Sequence, residues 1–288
     1  MKTSTSKRLR WNVAIWLAAG LFMTSTAGMA SGPIMPDPKA EARHQPQIEE
    51  TANGIPLVNI TAPSSGGVSR NEYETFNVPD KGAILNNSYT LSKTELAGYV
   101  QGNNNMAERP AKIIVNEVTG AGPTSMDGFL EVAGNRADVV IANPNGITVN
   151  GGGFINTGKA FLTTGKPVYD GEDHLQRFDI TGGDILIEGK GLNGKEAGSL
   201  AILSRAVKIN AGIWAKDLHI TTGANTVDAK TLEASAIEGK GERPAFALDT
   251  AGGLVEVRIQ KGGRIITVDM GQVSFDSAKI PVAGPTRE

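Results

Sequence analysis

Short apolar runs, each closed by a turn residue, limit what this chain can fold into more than any other feature. Runs of three to six residues rich in Ile, Val and Leu recur between glycine, asparagine and aspartate. The main ones begin at Leu57, Lys112, Phe129, Asp138, Ile147, Ala160, Asp184, Leu200, Val207, Leu218 and Leu254. Runs of this kind read as strands. A sandwich would show longer strands with clear alternation and hairpin turns of Asn-Gly type, whereas here the runs are very short and the turns are scattered. Helical spacing is weak and confined to Ser92–Tyr99, where one short helix or turn is expected.

An internal repeat sharpens the reading. Ile147-Thr148-Val149-Asn150, then Gly151 to Phe154, leads to Phe161-Leu162-Thr163-Thr164-Gly165. Val207-Lys208-Ile209-Asn210, then Ala211 to Trp214, leads to His219-Ile220-Thr221-Thr222-Gly223. Strand-turn-strand units of this size suggest coils of a parallel solenoid. One coil cannot bury its own apolar face. The next, about 4.8 Å further on, buries it and pairs its backbone. At roughly 20 to 24 residues per coil, about ten coils are expected. The open end of such a stack is an exposed edge that needs a cover. The polar, turn-rich stretch Thr61–Asn87 is expected to supply it as antiparallel strands.

The ends differ from the body. Lys2, Lys7, Arg8 and Arg10 precede an apolar core from Val13 to Phe22, and Gly28-Met29-Ala30 follows. This is the pattern of a signal peptide over 1–30, handled by the Sec machinery. The core is too short for a membrane span. Residues 31–51 hold Pro33, Pro36, Pro38 and Pro46 and are expected to form a flexible linker. The solenoid is then expected over 52–275, with a disordered tail over 276–288.

Composition closes off several functions. The net charge is −2, and without the basic leader the rest carries about −6, with no basic stripe for nucleic acid. There is no cysteine, which removes thiolate metal sites and cysteine nucleophiles. Thirty-six glycines suit many tight turns. His44, His174 and His219 lie at no metal-ligand spacing. Asp170, Glu172 and Asp173 match no calcium loop and read as solvated surface. Gly151-Gly152-Gly153 opens no helix and lacks the Lys-Ser or Lys-Thr of a phosphate loop, so close packing is expected there. No catalytic, cofactor or metal residues are therefore assigned. Two other classes stay open. A β-helical polysaccharide enzyme needs converging carboxylates, for which Asp179 and Asp184 are the available pair. A stand-alone adhesin would show exposed aromatics, with Tyr169 and Trp214 as candidates, although a core position is expected for Trp214.

Several ordered segments carry a resemblance. They are Asn53–Ile60, Phe76-Asn77-Val78, Leu85–Ser88 and Ile114–Gly120. The most specific lie between Gly128 and Thr164: Gly128–Gly134, Val140–Ile147 and Gly153–Thr157. Together they resemble the N-terminal two-partner secretion domain of filamentous haemagglutinins, related haemolysins and contact-dependent inhibition toxins, over roughly Gly54–Asp228. The resemblance implies an all-β, right-handed parallel β-helix with an N-terminal cap. It implies a cognate outer-membrane transporter whose periplasmic POTRA-type domains bind the chain, with no cofactor. It implies export through the periplasm of a Gram-negative bacterium to the surface or medium, and contact there with a host or neighbouring cell. The expected recognition residues are Asn103, Asn104, Asn105, Asn143, Pro144, Asn145 and Gly146. The sequence departs from the family where Asn104 and Met106 replace the Pro and Leu of an Asn-Pro-Asn-Leu turn. Val149 and Gly152 stand where many toxin members carry a cysteine pair. Ala247–Thr250 with Gly252-Gly253 resembles the family's late segment. What separates adhesion, haemolysin activation and competitor killing is expected beyond Glu288.

Overall fold

The computed structural model describes residues 32–107, 109–237, 245–248, 257–259 and 265–268. The signal segment and the 276–288 tail lie outside them. Among the described residues the only helical pieces are two 3-10 turns, Ala42–His44 and Asn104–Met106. The strands stack into three parallel faces. The first runs Val68–Phe76, Ile113–Val118, Ala137–Ala142, Thr157–Thr163, Ser199–Ser204, Leu218–Thr222 and Ile265–Val268. The second runs Pro56–Asn59, Ala83–Asn87, Phe129–Gly134, Gly152–Ile155, Leu192–Gly194, Ile213–Ala215 and Val257–Ile259. The third runs Thr124–Met126, Ile147–Val149, Asp184–Ile187, Ala206–Ile209 and Ala245–Leu248. The repeat seen in the sequence is a pair of coils two steps apart. Ile147 aligns with Ile185 and then Val207, and Phe161 aligns with Ala201 and then His219.

The faces differ in what covers them. On the first face Ile114, Val139, Ile141, Leu162, Leu200 and Ile202 enter the central core. Their neighbours Val115, Val140, Phe161, Ala201 and Leu203 point the other way and pack with Phe178, Ile180 and Val227. Those three come from an outer antiparallel sheet of Lys166–Tyr169, Leu175–Ile180, Asn225–Asp228 and Ala234–Ala236. A strand buried on both sides reads as a continuous apolar run, as Val139–Ala142 and Leu200–Leu203 do. The third face has no such roof, and Ile147-Thr148-Val149 alternates buried, half-buried, buried.

Buried asparagines join successive coils in the stack. Asn71 and Asn116 are register partners, as are Asn59 and Asn86. Asn71 Nδ2 donates to Val115 O, Asn116 Nδ2 to Val140 O and Asn86 Nδ2 to Asn59 Oδ1, at 2.8–3.2 Å. Each amide is buried only because a neighbouring coil satisfies it.

The structure departs from three expectations. The 31–51 stretch is not a free linker: Ile34–Pro36 and Gln47–Glu50 pair antiparallel with Val68–Phe76 and Pro56–Asn59. They are the cap. Pro36 is tolerated because it falls at a bulge on an edge strand, where no ladder donor is needed. Thr61–Asn87, expected to be that cap, instead supplies the first parallel rungs. Ser92–Tyr99 is neither helix nor simple turn but most of a hairpin, Ser92–Thr94 with Gly98–Val100. Among the described residues the first face has eight strands, and all but the antiparallel Ile34–Pro36 are parallel. Residues 88–112 and the 166–180 hairpin leave the stack and consume the chain.

Candidate functional site

The two asparagine turns are built alike on different coils. Asn143 to Gly146 joins the first face to the third. Asn143 is fully buried. Its Nδ2 donates to Gly122 O and Thr124 Oγ1, both at 3.0 Å, and its Oδ1 accepts from Asn145 N at 2.9 Å. Gly146 N closes the turn on Asn143 O at 3.1 Å. Gly146 has φ +114, and a Cβ there would stand 3.0 Å from Asp184 O, so the position requires glycine. These constraints leave Pro144 and Asn145 facing outward. Asn145 still spends its amide on Gly120 O at 2.8 Å.

The other turn repeats the plan. Asn103 is buried, its Nδ2 donating to Ile60 O at 2.8 Å and Asn86 O at 2.9 Å. Its Oδ1 accepts from Asn105 N at 3.0 Å, and Met106 N closes on Asn103 O at 3.1 Å. Asn105 Nδ2 reaches Ile60 O at 3.1 Å, as Asn145 reaches Gly120. Asn104 occupies the place of Pro144 and is exposed. The side-chain bond of the first asparagine, not the proline ring, therefore sets both turns. The Asn103 turn is tied to the chain just ahead of the 92–100 hairpin, Asn103 N donating to Ser88 O. The hairpin itself is held to the second face, where the Glu131 carboxylate accepts from Glu95 N at 2.7 Å and Leu96 N at 2.9 Å. Burial pushes the Glu131 carboxyl above its usual value, with the two backbone donors opposing.

Asn143→Ala removes four side-chain hydrogen bonds at a buried site and is expected to cost about 2–3 kcal/mol. Asn145→Ala removes two bonds from an exposed amide, to Gly120 O and to Asn143 Oδ1, and is expected to cost about 1 kcal/mol or less. Urea midpoints of the two variants check the order; equal midpoints would contradict this division of roles.

Other residues singled out in the sequence have different fates. Asp179 binds Arg177 at 2.9 Å and Asp184 binds Arg205 at 3.0 Å, so each carboxylate has an arginine of its own. Asp170 closes its own loop, accepting from His174 N and Glu172 N at 2.9 Å. Those bonds hold its carboxyl below the usual range, the bond from His174 N first. Among the described residues no group of three His, Cys, Asp or Glu side chains forms a metal site. Trp214 does not enter the core: it is half-buried on the outside of the second face, with Lys195 Nζ 5.7 Å from its ring centre. Tyr169 lies beneath Arg70, its hydroxyl buried. His44, with no role in the sequence reading, is buried against Glu72 at 3.0 Å. The available signal was Arg70, Glu72 and Glu117, charges that share one side of their paired strands.

Comparison with known proteins agrees with this architecture. The family described as "TPS secretion domain" matches residues 33–280. The chain is 45% identical over 238 residues to the 16S rRNA endonuclease CdiA of Enterobacter cloacae and 46% identical over 235 residues to the Toxin CdiA of Yersinia pestis. These matches cover 81% and 80% of the chain but 7% of each relative, so the chain spans a small part of the proteins it resembles. A crystal structure of a filamentous hemagglutinin secretion domain superimposes with a TM-score of 0.70 at 31% identity, covering 83% of this chain and 80% of that one. That domain shares the stacked β-helix found here, and with a family match across 33–280 the chain belongs to the TPS secretion domain family.

Proposed function

We propose that the two asparagine turns are the docking loops through which a cognate outer-membrane transporter selects this chain in the periplasm. The observation that carries the reading is the split within each turn. Buried Asn103 and Asn143 hold the backbone, and Asn104, Pro144 and Asn145 are left outward with no core to serve. Preorganised polar loops bind without the cost of ordering them. POTRA-type periplasmic domains of the transporter are the partner the family implies. The Sec machinery would deliver the chain there, and the exported product would stand at the surface or in the medium. Coil-by-coil folding outside the cell would oppose backsliding, since each coil is templated by the one before. The cargo is of the adhesion or interbacterial toxin type, by likeness to relatives whose names describe toxins and nucleases.

The test is export of native chain and Asn145→Ala, with and without the cognate transporter. Transporter-dependent export that falls at least several-fold in a variant retaining native urea stability supports docking at the turn. Unchanged export of that variant overturns the turn assignment. Export that ignores the transporter overturns the partner.

A further inference from the structure

Away from the turns, three parts of the molecule meet over one patch of buried charge. Glu72 and Glu117 are register partners on adjacent strands of the first face, so their side chains rise from the same side. They are 9% and 5% exposed. Arg70 stands between them, Nη2 at 2.8 Å from Glu72 Oε1 and Nε at 3.6 Å from Glu117 Oε2. From the outer hairpin, Tyr169 lies under the Arg70 guanidinium at 4.4 Å, and Asp173 is 3.9 Å from Arg70 Nη1. From the cap, His44 Nδ1 is 3.0 Å from Glu72 Oε1, and Arg43 pairs with Asp173. Glu117 Oε2 and Tyr169 Oη are buried without a hydrogen-bond partner. Two neighbouring carboxylates out of water share one close cation, and both cannot stay charged without cost.

We propose that this network is a proton-operated clasp, which fastens the 166–180 hairpin to the cap and first coils when Glu117 is protonated and loosens it when Glu72 and Glu117 are both charged. Arg70 and Glu72 from the neighbouring strand and Lys166 and Tyr169 from the hairpin act on Glu117, while Asp173 of the hairpin and Arg43 and His44 of the cap close around Arg70 and Glu72. Burial pushes the Glu117 carboxyl up to about 7, with Arg70 opposing and Glu72 adding. A folded-state value above the unfolded one means docking is favoured at lower pH and lost as pH rises through about 7. His44 acts in the opposite sense. Burial first, then Arg70, depresses it, so its protonation opposes docking as pH falls below its ordinary range. Docking is therefore tightest on the slightly acidic side of neutrality. The clasp also borders a cavity of about 250 Å³ lined by His44, Arg70, Asp173 and Asn105. Loosening it changes the surroundings of the first asparagine turn.

Hydrogen exchange of the full chain tests this, with the amides of 166–180 compared with those of Ile141 and Leu162 in the same molecule to cancel the intrinsic pH effect. Relative protection of the hairpin is expected to fall about tenfold from pH 6 to pH 8. In Glu117→Gln the fall should vanish. A pH-independent native hairpin, or a variant that keeps the full dependence, overturns the clasp. Should Glu117→Gln not fold, Asp173→Asn carries the test: hairpin protection at pH 6 drops several-fold while the core amides hold, and an unchanged hairpin overturns the proposal.

Discussion

Phe154→Ala is expected to destabilise the chain by about 3–5 kcal/mol. Phe154 is among the largest side chains with no exposure. It sits on the second face in register with Leu130, which is in register with Ala83. The ring therefore fills the interior beside a residue that cannot grow and another that is small. Truncation leaves a cavity among strands held in parallel register, and a close-packed interior collapses into such a void only in part. A solenoid makes the loss more consequential, because each coil is stabilised by its neighbours alone. The defect weakens the interfaces to the coils before and after. Urea unfolding followed by circular dichroism measures the effect, and a loss below about 1 kcal/mol would mean that the faces close over the vacancy.

Much of this interior was legible before any coordinates. The runs at Ile147, Asp184 and Val207 become third-face strands with little change of boundary, because glycine, asparagine or aspartate lies close to both ends of the first two and just after the third. Their spacing also revealed the repeat. The cap was misplaced for a physical reason. Proline and charge between 31 and 51 are signals of disorder, but they are equally the composition of a protected edge, where proline and glutamate discourage further pairing. Gln47–Glu50 is that edge, largely exposed with Glu49 and Glu50 outward. The asparagine turns were half legible. Asparagine and glycine mark a turn, but which asparagine turns inward depends on the carbonyls of another coil, Ile60 for Asn103 and Gly122 for Asn143. The charge clasp was not legible. Its members span residues 43 to 173, and only the parallel register sets Glu117 beside Glu72.

Gly128→Ala is expected to cost about 3 kcal/mol and to uncouple the coils that precede it from the rest. Gly128 opens one of the segments that carry the family resemblance, and its role is close approach rather than turning. A Cβ there would lie 2.2 Å from Pro79 O, 2.7 Å from Gly82 N and 2.8 Å from Asp80 O. All three are backbone atoms, so no side chain can swing aside. The 79–82 turn would have to move as a unit, yet it is pinned on both sides. Gly82 N donates to Pro79 O at 2.8 Å, Val78 N to Ser125 O at 2.8 Å and Asp127 N to Val78 O at 2.9 Å. Displacing that turn pulls Ala83–Asn87 away from Phe129–Gly134, the pairing that joins the second parallel rung to the third on this face. Gly182→Ala is the matched control, since a Cβ there meets nothing within 4 Å and φ is not in the left-handed region. The control should unfold within about 0.5 kcal/mol of the native chain. If both variants unfold together at the native midpoint, Gly128 is not a packing residue, and its place in the family segment would have to be explained by contact with the transporter. If Gly128→Ala alone fails, the segment reads as the seam of the solenoid, and export falls because the folded domain is lost rather than because a docking surface has changed.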